Sequence, residues 1–247
     1  MSLRRIVPLL ALLGTFGCDD KPKPPPAATA TPEPAPTPTP SKPTLPPTIV
    51  LDTSGALVAG TRVTLDGAGA SERLKSELEQ HRSFLDKQDV RVAAERKVKP
   101  AYVGAMLAGL GAVGASRVLV RTSTRSDFPT EIGFLPPDKA KTAPNCSVIG
   151  MILADRSSAV WHLKGGVAGR RSKGMAGPDL TLTGETIREK AKACKESTIL
   201  FVAGAEGVEW GLVYDLAASS KTFGTLFFSE SALVSTPPVP GRPVELP

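Results

Sequence analysis

A run of proline residues limits where this chain can begin to fold. Lys21–Thr48 contains twelve prolines among alanine, threonine, glutamate and lysine, with Leu45 as the only large apolar side chain. Such a stretch cannot bury enough apolar surface to offset the entropy lost on ordering it. Proline instead favours extended polyproline II, in which about 27 residues reach roughly 80 Å. We therefore expect a disordered linker over residues 18–47 and a folded body beyond it.

The first residues have the pattern of an export signal. Arg4 and Arg5 precede a short apolar run, Ile6–Gly17, and Cys18 follows at once. A basic start, a short apolar core and a small residue at the cut site are typical of a secretory signal peptide. The run is too short for a transmembrane anchor, because spanning a bilayer takes about 20 apolar residues. The sequence predicts a signal peptide over residues 1–17.

Cys18 resembles the modified cysteine of a bacterial lipobox, whose thiol receives a diacylglycerol. Thr15 departs from the leucine that is usual three residues before it. The resemblance implies a lipoprotein attached through Cys18 to the periplasmic face of a bacterial membrane. Asp19 resembles an inner-membrane retention signal of enteric bacteria, and the choice between inner and outer membrane stays open.

Charge and aromatic content bear on the partners of the chain. Removing the signal peptide takes away two arginines and no acidic residue, which lowers the formal net charge from +6 to +4. That charge favours anionic surfaces without implying nucleic acid. Two Trp and two Tyr are few for a base-stacking platform. We expect no nucleic-acid partner.

Two cysteines remain once Cys18 is acylated, Cys146 and Cys194. In an exported protein they meet an oxidising compartment, where pairing is expected. The sequence predicts a disulfide between them, and the alternative is a pair of unlinked buried thiols.

Hydrophobic periodicity predicts the element order ββαβαβ over residues 48–122. Residues 48–52 and 56–65 form a hairpin around Gly55, and Ser71 begins a helix. A third strand follows, then a helix that Pro100 opens and Gly114 ends, and a fourth strand closes the module.

The same order returns over residues 146–230, where Thr183 begins the first helix. Val98, Val103 and Met106 align at one constant offset with later counterparts, namely Val208, Val213 and Leu216. We predict an α+β fold of two tandem ββαβαβ modules packed together. A connecting loop, residues 123–145, separates them, and residues 231–247 form a disordered tail.

Residues 48–122 resemble the periplasmic domain of the ExbD/TolR family, accessory subunits of proton-driven motors in bacterial envelopes. The resemblance is strongest in Val90–Val98, in the helix over Val103–Leu110 and in the closing stretch Ser116–Thr122. Glu95 stands where the family usually carries Asp. The resemblance implies an envelope fold that dimerises, so that two copies in one chain form an internal pseudo-dimer. It also implies two kinds of partner, motor subunits of the ExbB/TolQ type and peptidoglycan.

The front of the chain departs from this family. Members carry an amino-terminal transmembrane helix with an aspartate that takes protons, whereas Ile6–Gly17 contains no acidic residue. Proton relay across a bilayer needs such an ionisable group. We therefore expect a non-enzymatic accessory or scaffold of a proton-driven transport or motility complex, without a proton-carrying helix of its own. The alternative is a lipoprotein that binds peptidoglycan, or a small ligand in the cleft between the modules.

Signatures of catalysis are weak in this sequence. His81 and His162 are too few for a metal cluster beside scattered cysteines, and no Gly-x-Ser-x-Gly elbow occurs. Gly109–Gly114 matches the dinucleotide motif by letter, but it ends a predicted helix, whereas the motif must open one. We predict no catalytic residue, no metal and no cofactor.

A glycine-rich stretch, Gly165–Gly177, carries the remaining candidate site. We expect a basic loop there that attracts anionic glycan or lipid head groups; its residues are Lys164, Arg170, Arg171 and Lys173. The alternative is an ordinary solvated extension of a hairpin.

Overall fold

An eleven-stranded mixed sheet runs through the described chain, and helices cover it on one side. The computed structural model describes residues 45–195, 198–222 and 228–246, which all belong to one compact unit. The predicted signal peptide, Cys18 and the linker up to residue 44 lie outside the described residues. The fold mixes α and β structure, with six helices among the residues described.

The elements divide into two halves and a bridging segment. The first half contains β1 (Ile49–Asp52), β2 (Gly55–Val58), β3 (Thr61–Val63), α1 (Ala70–Gln80), α2 (Arg82–Leu85), β4 (Asp89–Ala94), α3 (Pro100–Ala112) and β5 (Arg117–Arg121). The bridging segment contains β6 (Glu131–Leu135) and α4 (Pro137–Ala140). The second half contains β7 (Val148–Ile152), β8 (Ser158–His162), β9 (Gly169–Arg171), β10 (Lys173–Gly174), β11 (Gly177–Pro178), α5 (Leu180–Lys192), β12 (Thr198–Gly204), α6 (Trp210–Thr222) and β13 (Phe228–Leu233).

Strand pairing follows the same scheme in both halves. In each, an antiparallel hairpin is extended by two parallel strands, which gives the orders β2-β1-β4-β5 and β8-β7-β12-β13. Strand β6 joins the halves, because it pairs antiparallel with β5 and parallel with β13. The parallel strands of the two halves therefore run in opposite directions. The predicted connecting loop thus contributes a central strand, and the strands β3 and β9 form the two free edges.

Four long helices lie on one face of this sheet in the order α1, α3, α6, α5. Helix α3 is apolar throughout and begins with Pro100, which suits the first helical turn. It ends as predicted at Gly114, whose φ of 95° is left-handed. The amides of Gly114 and Ala115 donate to the carbonyls of Gly111 and Leu110, which is a Schellman motif.

The other face of the sheet differs between the halves. In the second half it is apolar and includes Ile149, Met151, Trp161 and Phe201, all buried. Side chains of residues 234–246 and of the α4 region pack against it.

The prediction of a disordered tail from residue 231 is therefore corrected. Residues 231–233 belong to β13, and residues 234–246 lie on the apolar face as a strap. The indole of Trp161 donates to the carbonyl of Arg242 at 3.0 Å, and the amide of Val244 donates to Leu163 at 3.1 Å. The high proline content predicted disorder. The apolar face that orders these residues forms only when distant strands pair, so the local sequence does not reveal it.

In the first half the corresponding face is polar. Strand β4 alternates strictly, with Asp89, Arg91 and Ala93 exposed between buried residues. On this face Arg117 forms an ion pair with Asp89 and a longer one with Glu230, in which nitrogen and oxygen are 3.8 Å apart. This face needs no covering segment, because its side chains are compatible with water.

Several local predictions change in detail. The strand predicted over residues 56–65 folds back on itself at Ala59 and Gly60, both at positive φ, and so forms β2 and β3. Gly69 precedes α1 without a side-chain cap, and the cap of α5 is Asp179, which accepts from the amide of Leu182.

The cysteine pair predicted from the sequence is confirmed at disulfide distance. The Cα atoms of Cys146 and Cys194 are 5.4 Å apart, and the residues are separated by 48 positions. The link ties the segment that leads into β7 to the end of α5.

We expect the variant Cys146→Ser, Cys194→Ser to lose about 4 kcal/mol of unfolding free energy, because the open chain regains loop entropy. Urea denaturation of the oxidised wild type and the double variant measures the loss. Reductant should lower the stability of the wild type by the same amount and leave the variant unchanged. A wild type that is insensitive to reductant would contradict the link.

The position of the strap can be tested by a pair of substitutions. A Cβ atom added at Gly104 in α3 would clash with the Cβ of Ser235 in the strap. Gly104→Ala should therefore destabilise the wild type by about 1–3 kcal/mol, the usual cost of overpacking. In a Ser235→Gly background the same change should stabilise by up to about 1 kcal/mol, since alanine favours helix over glycine. Equal effects in both backgrounds, measured by urea denaturation, would show that Ser235 does not lie against α3.

Candidate functional site

The two halves meet where α6 of the second half enters the first. Residues 213–220 of this helix are all buried, although they include Asp215, Ser219 and Ser220. Its first amides find acceptors across the junction: Trp210 donates to the carbonyl of Val98 and Gly211 to that of Arg96, both at 2.8 Å. The orphan donors of a helix start are thus satisfied by the loop that follows β4.

A charged pair fixes the same contact. The guanidinium of Arg96 donates to both carboxylate oxygens of Asp215, at 3.0 and 2.6 Å, and to the carbonyl of Ser123 at 2.8 Å. The hydroxyl of Thr124 donates to Asp215 at 2.5 Å. The side chain of Asp215 is 9% exposed and that of Arg96 35% exposed. Hydrogen bonding to Asp215 raises the pKa of Arg96 above its usual value.

Two aromatic side chains of α6 complete the junction. The indole of Trp210 donates to the hydroxyl of Thr122 at 2.9 Å, and its ring packs against Phe134 of β6. The hydroxyl of Tyr214 donates to the carbonyl of Pro129 at 2.9 Å, and burial raises its pKa. The chain between β5 and β6 therefore supplies partners for the polar groups that α6 brings into the core.

Gly211 leaves room for the Arg96 side chain at the start of α6. A Cβ atom added there would lie 2.9 Å from three atoms of the Arg96 side chain. Glycine at this position lets the guanidinium cross the start of α6 to reach Asp215.

A cavity of about 570 Å³ opens beside the junction, between the turns that follow β4 and β12. Its walls are formed from Val98, Pro100 and Ala101 on one side and from Ala205 and Val208 on the other. This is the cleft between the halves in which a small ligand was the alternative expectation.

The charged residues of this cavity do not converge inside it. Lys97, Lys99, Glu206 and Glu209 are all exposed. Lys99 already donates to Asp66, at 3.1 and 3.2 Å to its two oxygens. A ligand site holds a few polar groups placed to fix an orientation. The polar lining residue Ser235 is also exposed, so this cavity resembles a surface depression more than a ligand pocket.

The predicted basic loop is partly regular structure. Arg170 and Arg171 lie in the edge strand β9, and Lys173 lies in the small β10–β11 hairpin. Arg171 donates to the hydroxyl of Thr186 at 2.9 Å, while Arg170 and Lys173 are exposed. Lys164 is exposed just after β8. Arg170 and Arg171 therefore lie on one edge of the large sheet, and Lys164 and Lys173 lie in the chain just before and just after that edge strand.

Neither histidine belongs to a cluster of ligands. His81 is buried at the end of α1, and its Nδ1 has no hydrogen-bond partner within the described chain. The Nδ1 of His162 lies 3.0 Å from the carbonyl oxygen of Cys146. Within residues 45–195, 198–222 and 228–246, no three His, Cys, Asp or Glu side chains are grouped so that they could hold a metal ion. Over the same residues, no helix combines the length and apolar character needed to cross a bilayer.

Comparison with known proteins returned no significant match to a family model, to a curated protein or to a solved structure.

Sequence reasoning missed the junction residues Arg96, Asp215 and Trp210. One signal was present, because Asp215 is the only charged residue between Trp210 and Ser220 in an otherwise apolar or small-residue helix. A lone carboxylate in such a helix indicates a buried partner. Its identity could not be read from the sequence, since Arg96 is 119 residues away.

Two matched truncations test the importance of the junction. Asp215→Ala should cost about 2 kcal/mol of unfolding free energy, because it removes the buried acceptor of Arg96 and Thr124, although water can still reach the Arg96 guanidinium. The control is Asp127→Ala, whose carboxylate also lies 2.6 Å from an arginine, Arg125, but is 51% exposed. That change should cost much less than Asp215→Ala, because water solvates both partners and screens the pair. Equal losses in urea denaturation would show that burial adds nothing to the Arg96 pair.

Proposed function

We propose that this protein is a non-enzymatic scaffold of the bacterial envelope, built from two ExbD/TolR-like modules within one chain. In this proposal it is a lipoprotein attached through Cys18, and it assists a motor complex of the ExbB/TolQ type. The observation that carries the proposal is the recurrence of one module in both halves.

The recurrence extends to the register of the elements. Helices α1 and α5 begin at Ala70 and Leu180, which are separated by the same offset as Val98 and Val208. Helices α3 and α6 begin at the same offset, and they also end at it. The last residues of β4 and β12, Ala94 and Gly204, are separated by that offset as well. A constant spacing over several consecutive elements, with the same pairing order, is what a duplicated module predicts. It also supports the alignment of Val98 with Val208.

The resemblance to the ExbD/TolR family lies in the sequence of the first module. Its opening hairpin, its acidic turn after β4 and its closing strand are the parts of the sequence that carry the resemblance. The resemblance implies a periplasmic domain that acts through contacts with its partners. The residues described here agree with such a role, because their polar clusters are ion pairs and caps that stabilise the fold.

The arrangement of the modules favours an internal pseudo-dimer. The family forms dimers from separate chains, whereas here one continuous sheet passes from one module through β6 to the other. Helix α6 and the Arg96–Asp215 pair hold the two halves together. Partner contacts are then expected at the free edges, β3 and β9, because the faces between the modules are already used.

In this proposal the proton transfer that drives the motor is carried out by a partner subunit. The apolar run Ile6–Gly17 contains no carboxylate, and an intramembrane carboxylate is what proton transfer requires. The scaffold would therefore accompany a proton-carrying subunit and would not replace it.

Photocrosslinking in the cells that produce the protein tests this proposal. A photoreactive residue is placed at Thr61 in edge strand β3 or at Arg170 in edge strand β9, both exposed. The matched control is Lys75, which is exposed on α1. We expect a polytopic motor subunit or its proton-carrying companion to be captured from an edge position and not from Lys75.

Other captures would contradict the proposal. Recovery of peptidoglycan fragments alone would point to a wall-binding lipoprotein. The same proteins captured from all three positions, or no envelope protein from either edge, would remove the motor assignment.

A further inference from the structure

The basic edge of the sheet carries apolar side chains that point to a second kind of contact. We define the basic edge as Lys164, Val167, Arg170, Arg171, Lys173 and Met175. Val167 is 88% exposed and Met175 is fully exposed, the two highest values among the large apolar residues described. Val167 lies in the loop between β8 and β9, and Met175 lies in the turn between β10 and β11. Exposed apolar side chains of this kind would gain transfer free energy if another surface removed them from water.

Within the described part of the chain, the cations of this edge form no ion pair. Every ion pair between two described residues has its basic member between Arg62 and Arg125, which is in the first half and the bridging segment. Lys164, Arg170 and Lys173 make no ion pair in the described chain, and the side chain of Arg171 donates to a hydroxyl. A fifth cation, Lys190 of α5, reaches the same edge and donates to the carbonyl of Val167 at 3.2 Å.

The edge is held in place by the fold. Strand β9 pairs with β8, and the amide of Gly166 donates to the carbonyl of Gly241 in the strap at 2.9 Å. Through that contact the strap approaches the edge, and it carries a further exposed apolar side chain, Val239. Val167, Arg170 and Arg171 are therefore held close to the large sheet, so binding would not have to order this part of the edge.

We propose that the basic edge docks on the surface of an anionic lipid bilayer. Lysine and arginine side chains meet the head groups, and Val167 and Met175 enter the boundary between head groups and acyl chains. Basic residues combined with exposed aliphatic ones are the pattern of interfacial membrane binding. Each lysine or arginine near an anionic leaflet contributes about 1 kcal/mol to the binding free energy, so four or five of them together favour binding.

An anionic wall polymer fits the same cations less well. Proteins that bind polysaccharides commonly stack exposed aromatic rings on the sugars. In this chain both tryptophans and both tyrosines are buried, so they are not available for such contacts. Exposed aliphatic side chains gain little from a hydrated glycan and gain transfer free energy from a bilayer.

The proposal is independent of a motor partner. The vesicle experiment below contains no other protein, so its failure leaves the crosslinking test unaffected, and the reverse also holds.

Vesicle flotation of the full chain tests the docking. Cys18→Ser excludes any attached lipid, and the vesicles contain phosphatidylcholine alone or phosphatidylcholine with phosphatidylglycerol. We expect stronger binding to the anionic vesicles, which salt weakens. Arg170→Gln with Lys173→Gln should lower that binding about 25-fold, from about fivefold for each basic side chain. The matched control removes two exposed lysines elsewhere, Lys75→Gln with Lys141→Gln.

A second pair of variants tests the apolar contribution. Met175→Ser should weaken binding to anionic vesicles about fivefold, because one aliphatic side chain no longer leaves water. Leu45→Ser removes another exposed apolar side chain, at the start of the described chain, and should leave binding within about twofold of the wild type.

The results that overturn the proposal are specific. Equal binding of the wild type to neutral and anionic vesicles would remove it. So would equal losses in the basic-edge variants and their controls. If the unaltered edge binds an anionic wall polymer and not vesicles, with the same loss on Arg170→Gln and Lys173→Gln, the edge belongs to the polymer.

Discussion

The burial of α6 is the constraint on which the rest of this structure depends. A helix that is covered on every side must find partners for all its polar groups, and α6 carries a carboxylate, an indole and a phenol into the core. Every one of these partners comes from the first half or from the bridging segment. The second half therefore cannot complete its own core, and the two halves are expected to unfold together.

The same dependence explains the course of the bridging segment. Between β5 and β6 the chain supplies Thr122, Thr124 and Pro129 to α6, and then it returns as β6 to close the gap between the two half-sheets. An ordinary linker of that length would leave two sheet edges exposed at the centre of the molecule, where they would invite pairing with other chains. Inserting β6 leaves only the short strands β3 and β9 as edges, and an arginine lies within each.

Much of the fold follows from local sequence, and the exceptions have physical reasons. The main helices and strands of each half, the end of α3 at Gly114 and the cysteine pair could be predicted, because each depends on periodicity, on a glycine or on compartment chemistry. The strap over residues 234–246 could not, because its burial depends on Trp161 and Phe201 of distant strands. The junction could not either, since Arg96 and Asp215 are far apart in sequence and meet only through the sheet order.

The difference between the two halves follows from where the strap lies. Both halves have the same strand order, yet the face opposite the helices is apolar only in the half that the strap covers. In the first half the corresponding strands carry paired charges, and this face can remain in water. The strap then continues to Gly241, where it holds the loop before β9. A segment that protects an apolar face thus also fixes the geometry of the basic edge. In this molecule one segment both covers an apolar face of the sheet and holds the loop that leads into the basic edge.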